Sequence, residues 1–252
     1  MFTSLSPGTV WEFITERWTT TVDPAPESVL IVTAVVVVLA AVPPIWRIAR
    51  QASTIVHEMG HVAAAVLSGR RVSGIALHSD TSGVTVSRGK PRGPGMLFTA
   101  LAGYPAPGLL GAAMALLLVT GHGGAALTVY QVVMVLALLL SRNVVGILSC
   151  LASVLITGVV WWVNDPQVVG LTVTALAVFY ALAGVRGVFD VIRVHTAAVG
   201  ARRPGATSRA QSTDAAQAAR AWRVLPLPAF IWLGFFLLLS LASAAVTVWL
   251  LL

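Results

Sequence analysis

Apolar residues come in long blocks along this chain, at 29–42, 96–119, 125–140, 144–163, 168–191 and 225–252. The blocks at 96–119, 144–163 and 168–191 have the roughly 17 to 25 residues that a helix needs to cross a bilayer, and that at 225–252 is longer. A further stretch, 51–68, keeps the helical pattern but carries Ser53, Thr54, His57, Glu58 and His61 among its apolar positions. Immediately after it the period shortens. Val72, Ile75 and Leu77, then Val84 and Val86, flank the turn residues Ser79, Asp80, Thr81, Ser82 and Gly83, which predicts a short β-hairpin. Pro43 and Pro44 end the first block, and a polar, arginine-rich segment at 193–223 precedes the last. Residues 1–28 hold Glu12, Glu16, Asp23 and Glu27 against one Arg17, unlike the basic start of a secretory signal, so the 29–42 block reads as a retained span.

Composition turns this pattern into a class. Of the 252 residues 57% are hydrophobic and 10% charged, with a mean hydropathy of +0.88. A soluble body of this size needs far more polar side chain at its surface. The expected fold is therefore an all-α polytopic membrane protein of about six or seven transmembrane segments, with the hairpin as its only β element. The net charge of +7 is read as setting topology, with no nucleic-acid partner. Counting basic residues puts the 193–223 loop, Arg142, the 88–92 end of the hairpin and Arg70/Arg71 on the cytoplasmic side. Arg47 and Arg50 disagree unless they snorkel or the 51–68 segment is a partial, re-entrant element. Cys150 is single and lies in an apolar run, which excludes an internal disulfide framework. The expected division is an extramembrane segment at 1–28 and a single membrane domain at 29–252.

The chemistry sits in the exceptional segment. His57, Glu58 and His61 form an H-E-x-x-H motif, and four residues are about one helical turn, so both imidazoles project from one face and can share one Zn²⁺. Glu58 then stands beside the ion as general base for its bound water. Two histidines and a carboxylate at membrane depth cost several kcal/mol unless they are paired, coordinated or facing water, so a chance cluster is disfavoured. Zinc needs a third protein ligand. Glu58 is the last glutamate in the chain, and Ala64 and Leu67 occupy the places of the extended motif's glycine and third histidine. Asp80, Asp165, His78, His122 and His195 suit turns or solvated segments. Asp190, which has Arg186 and Arg193 at helical spacing, and Asp214, at a helix start with Gln217 three residues on, remain as even candidates for the metal site.

These residues resemble the site-2 protease family of intramembrane zinc metalloproteases, in particular its compact bacterial branch. The likeness rests on His57, Glu58 and His61, on the hairpin that follows, on Ala102-Gly103-Tyr104-Pro105, on Arg142-Asn143 and on the 212–215 stretch before the last helix. It implies an integral protein of the bacterial plasma membrane, with Zn²⁺ as cofactor and an Asp near the start of a later helix completing the metal site. The implied activity is hydrolysis of peptide bonds in membrane-spanning substrates, as in regulated intramembrane proteolysis. Asn143 is a candidate donor to the reacting carbonyl, and the hairpin a candidate platform for an unwound substrate strand. The competing expectation is a non-enzymatic membrane scaffold, or a zinc-binding or transport protein with a vestigial site.

Overall fold

The computed structural model describes residues 7–199, 205–221 and 227–252. The elements in chain order are α1 (Pro7–Thr19), α2 (Pro26–Ala41), α3 (Pro43–Leu67), β1 (Arg71–Leu77), β2 (Gly83–Arg88), α4 (Pro94–Leu101) and α5 (Pro105–Val119). They continue with α6 (Gly123–Leu140), α7 (Val144–Val163), α8 (Pro166–Ala198), α9 (Ala206–Ser212), α10 (Asp214–Ala221) and α11 (Ala229–Leu251). Helices α6, α7, α8 and α11 are each long and apolar enough to cross a membrane. The bent pairs α2–α3 and α4–α5, at 106° and 66°, bring the number of candidate spans to six. The chain is an integral membrane protein of helical architecture with, among the described residues, one two-stranded antiparallel hairpin.

The centre of the bundle is α5 packed on α8, with α11 against both. Small residues permit this approach: a Cβ on Gly111 would stand 2.7 Å from the Ala177 carbonyl, and one on Gly184 2.9 Å from the Gly108 nitrogen. Polar side chains within the bundle pair with one another, as in Tyr130 with Tyr180 (3.0 Å between hydroxyls) and Gln131 with Thr157 (3.0 Å). Helix α1 docks at the end of the bundle where α7 finishes. There the Arg17 guanidinium stacks on Phe13, 3.2 Å from the ring centroid, and donates to the Trp162 carbonyl at 2.9 Å.

Three features differ from the expectations. The helix bearing the motif starts at Pro43 rather than near residue 51, because a proline that ends one helix is also well suited to the first position of the next. Arg186 of α8 bridges this corner, donating to the Ala40 carbonyl (2.6 Å) and stacking on Trp46 at 4.0 Å. The 96–119 block is two helices instead of one. Pro105 lacks the N–H that would continue α4, so a new helix begins there. Finally, the polar segment at 193–223, read as a loop, contains the end of α8, the short α9 and α10; the helix start expected at Asp214 is present, and α10 buries Ala215, Ala218 and Ala221. Residues 200–204 and 222–226 of that segment lie outside the described residues. The hairpin follows its turn signal, with Arg71 opposite Arg88 and Leu77 opposite Gly83.

Candidate metal centre

Helix α3 is strongly amphipathic and puts its polar face toward a cavity of about 470 Å³ enclosed by β2, α4, α8 and α10. His57 and His61 stand one turn apart on that face with their rings edge to face, centroids 4.8 Å apart, and their Nε2 atoms 3.2 Å apart. The Asp214 carboxylate completes the group. Its Oδ2 lies 3.2 Å from His57 Nε2 and 3.1 Å from His61 Nε2.

These separations suit a metal. A tetrahedral ion with ligand bonds of about 2.0 Å requires neighbouring ligand atoms about 3.3 Å apart. Two imidazole nitrogens and one carboxylate oxygen are a donor set that zinc accepts, with one position left open. The second layer fits as well. His61 Nδ1 lies 2.7 Å from the Thr99 carbonyl, which can only accept, so Nδ1 carries the proton and Nε2 presents a lone pair to the site.

Local sequence explains how Asp214 comes to face inward. It occupies the first turn of α10, where the helix dipole favours a carboxylate. The capping role falls to its neighbour. The Thr213 hydroxyl accepts from the Ala216 N–H (3.4 Å) and pairs with His195 Nε2 (2.8 Å), which leaves Asp214 free for the histidines.

Asp190 is placed differently. It lies on the cavity wall, 3.5 Å from Arg50 and 3.2 Å from Arg193, and is not part of the histidine cluster. Arg186, at helical spacing from Asp190, is turned to Ala40 instead. The other acidic and histidine candidates serve turns and helix ends: Asp80 accepts from Ser82, Asp165 caps α8 through the Val168 N–H, and His122 contacts Thr120. Asn143 is a structural residue. It pairs with both the N–H and the carbonyl of Leu77 and caps α7, so it secures β1 and does not line the cavity.

Glu58 is buried on the β2 side of the cavity, and here the structure adds residues that the sequence did not suggest. The Thr85 hydroxyl donates to Glu58 Oε2 at 2.6 Å and lies 3.2 Å from the Glu58 carbonyl. Gly83 is glycine because Glu58 fills its side-chain space: a Cβ there would meet Oε1 at 2.5 Å and Cγ at 2.8 Å. Gly103, in the break between α4 and α5, passes so close to the motif that a Cβ would overlap both imidazole rings. Gly83 was readable as a turn residue, and Gly103 as a small residue two positions before a proline inside an apolar block. Nothing in the sequence pointed to Thr85.

Two histidines and a carboxylate converging in a cavity that also holds a buried glutamate, within a polytopic membrane fold, form a candidate metal centre of a membrane-embedded protein. The family model described as Peptidase M50B-like matches residues 29–247, most of the chain, and the protein belongs to that family, within the site-2 proteases. Comparison with curated proteins and with solved structures finds no match.

Proposed function

We propose that this protein is an intramembrane zinc endopeptidase in which His57, His61 and Asp214 hold the metal and Glu58 is the general base. The observation that carries this reading is the set of three ligand atoms at mutual distances of 3.1–3.2 Å in the cavity that also receives Glu58. When bound, Zn²⁺ supplies Lewis acidity and brings the pKa of a coordinated water towards about 7. Glu58 accepts a proton from the attacking water, and the water oxygen bonds to the scissile carbonyl carbon. Glu58 then delivers that proton to the amide nitrogen as the C–N bond breaks. The Thr85 hydroxyl fixes the carboxylate for both transfers.

The substrates proposed are membrane-spanning segments of other proteins, in a bacterial plasma membrane. A helical substrate hides its carbonyls in i to i+4 bonds and must unwind before it can react. The free edge of β2, whose Val84 and Thr85 line the cavity, is suited to hold the unwound strand. Family membership supports the protease reading over a scaffold or transporter.

The test is the purified chain in detergent with a model membrane-spanning substrate. Glu58→Gln is expected to keep one zinc per chain and to lose cleavage. Undiminished cleavage by that variant, or a wild-type chain that binds no zinc, overturns the proposal.

A further inference from the structure

Peptide hydrolysis places negative charge on the scissile carbonyl oxygen, and proteases aim hydrogen-bond donors at it. With Asn143 committed to β1, the donor has to come from elsewhere in the cavity. Glu58 and Asp214 are acceptors when ionised. The hydroxyls of Thr54, Thr85, Thr99 and Thr213 are already donated, to Thr81, Glu58, Gly95 and Ala210 respectively. Arg50 is paired with Asp190. Two hydroxyls on the cavity wall make no hydrogen bond among the described residues, those of Ser53 and Tyr104. Ser53 lies a turn before His57, whereas Tyr104 touches a member of the metal cluster.

The Tyr104 ring is held firmly. It lies edge to face with His57, centroids 4.7 Å apart, and against Phe236 of α11 at 5.0 Å. Pro105 follows it and fixes the backbone at the start of α5. The chain has three tyrosines, and the other two, Tyr130 and Tyr180, satisfy each other in the bundle. Buried tyrosine hydroxyls ordinarily find a partner. That of Tyr104 makes no hydrogen bond among the described residues, and its side chain lines the cavity. A rigid ring beside a metal-cluster histidine with an uncommitted hydroxyl is an arrangement ready to receive an oxygen from a ligand.

Resting on the proteolytic reading above, we propose that Tyr104 is a further catalytic residue, whose hydroxyl donates a hydrogen bond to the scissile carbonyl oxygen as the tetrahedral intermediate forms. As the water oxygen adds to the carbonyl carbon, the π electrons move onto that oxygen and the Tyr104 hydroxyl, keeping its proton, stabilises it. The electrons return when the C–N bond breaks.

The experiment compares the full wild-type chain, Tyr104→Phe, Ser53→Ala and Glu58→Gln in detergent. The readouts are zinc content, steady-state cleavage of the model membrane-spanning substrate, and calorimetric affinity for a phosphonate peptide, whose tetrahedral oxygens mimic the intermediate. Phe preserves the ring and its packing and removes only the hydroxyl. Tyr104→Phe is expected to keep full zinc and an unchanged KM, to lose kcat on the order of 10²-fold, and to bind the phosphonate about tenfold more weakly. Ser53→Ala should behave as wild type. The assignment is overturned if Tyr104→Phe keeps kcat and phosphonate affinity, if it loses zinc along with activity, or if Ser53→Ala carries the loss instead. In each of these cases an active wild type silenced by Glu58→Gln leaves the proteolytic reading standing. A zinc-loaded wild type that neither cleaves the membrane-spanning substrate nor binds the phosphonate overturns both.

Discussion

Asp190 and Asp214 line the same cavity and have opposite surroundings. At the rim, Asp190 is 38% exposed and sits between the guanidinium groups of Arg50 and Arg193. Deeper in, Asp214 is 13% exposed and faces two imidazoles. The rim charges are balanced by the protein itself, in contact with solvent, and require nothing more. The inner group is unbalanced. With neutral histidines, three lone-pair atoms stand within 3.2 Å of one another, which is stable only with a cation or a proton among them. What separates the proposed ligand Asp214 from the ion-paired Asp190 is therefore an excess of acceptors, and depth alone is a poor guide.

The sharpest way to break this contrast is Asp214→Ala. It is expected to lose bound zinc on dialysis against a weak chelator and to lose cleavage with it, while far-ultraviolet circular dichroism stays helical. Full zinc retention would move the third ligand elsewhere. Gly83→Ala is expected to leave zinc in place but to displace Glu58, because the added methyl group occupies the carboxylate's position. A displacement of about 1 Å can cost on the order of 10²-fold in rate. The measurement is kcat beside metal content, and a loss of zinc would show that the hairpin supports the metal cluster instead of the base. Thr85→Val, of similar shape, removes the hydrogen bond to Glu58 and is expected to reduce kcat about tenfold. Thr85→Ser should restore most of it, which a purely packing role for the methyl group would not allow.

The two regions also differ in how far they could be read from the sequence. His57, Glu58 and His61 were legible because helical periodicity fixes their relative direction within one turn. The hairpin was legible because turn residues separate two short β-type runs. The choice between Asp190 and Asp214 was not, since both are single carboxylates near helix ends and the contact that distinguishes them spans more than 150 residues of chain. Helix α10, which carries Asp214, gave a weak signal: its buried face is alanine, too small for its apolar pattern to stand out from a polar loop. Hydropathy runs almost unbroken across 102–104, so the break that brings Gly103 and Tyr104 over the histidines was hidden inside an apparently continuous span. Thr85 reaches Glu58 only through the packing of β2 on α3, which no local pattern encodes.

The smallest effect is expected at the rim, and it sharpens the comparison most directly. Asp190→Asn keeps the size of the side chain and removes its charge, leaving Arg50 and Arg193 to be solvated. Partly exposed ion pairs contribute about 0–1 kcal/mol, and the difference should shrink further as salt screens the pair. The expected result is full zinc content, thermal stability close to wild type, and cleavage within roughly twofold at low salt that converges on wild type at high salt. Zinc loss in this variant would make the rim carboxylate part of the metal site. A cleavage defect that persists at high salt with zinc intact would instead assign Asp190 to contact with the substrate, because a lost contact, unlike a surface ion pair, is not removed by screening.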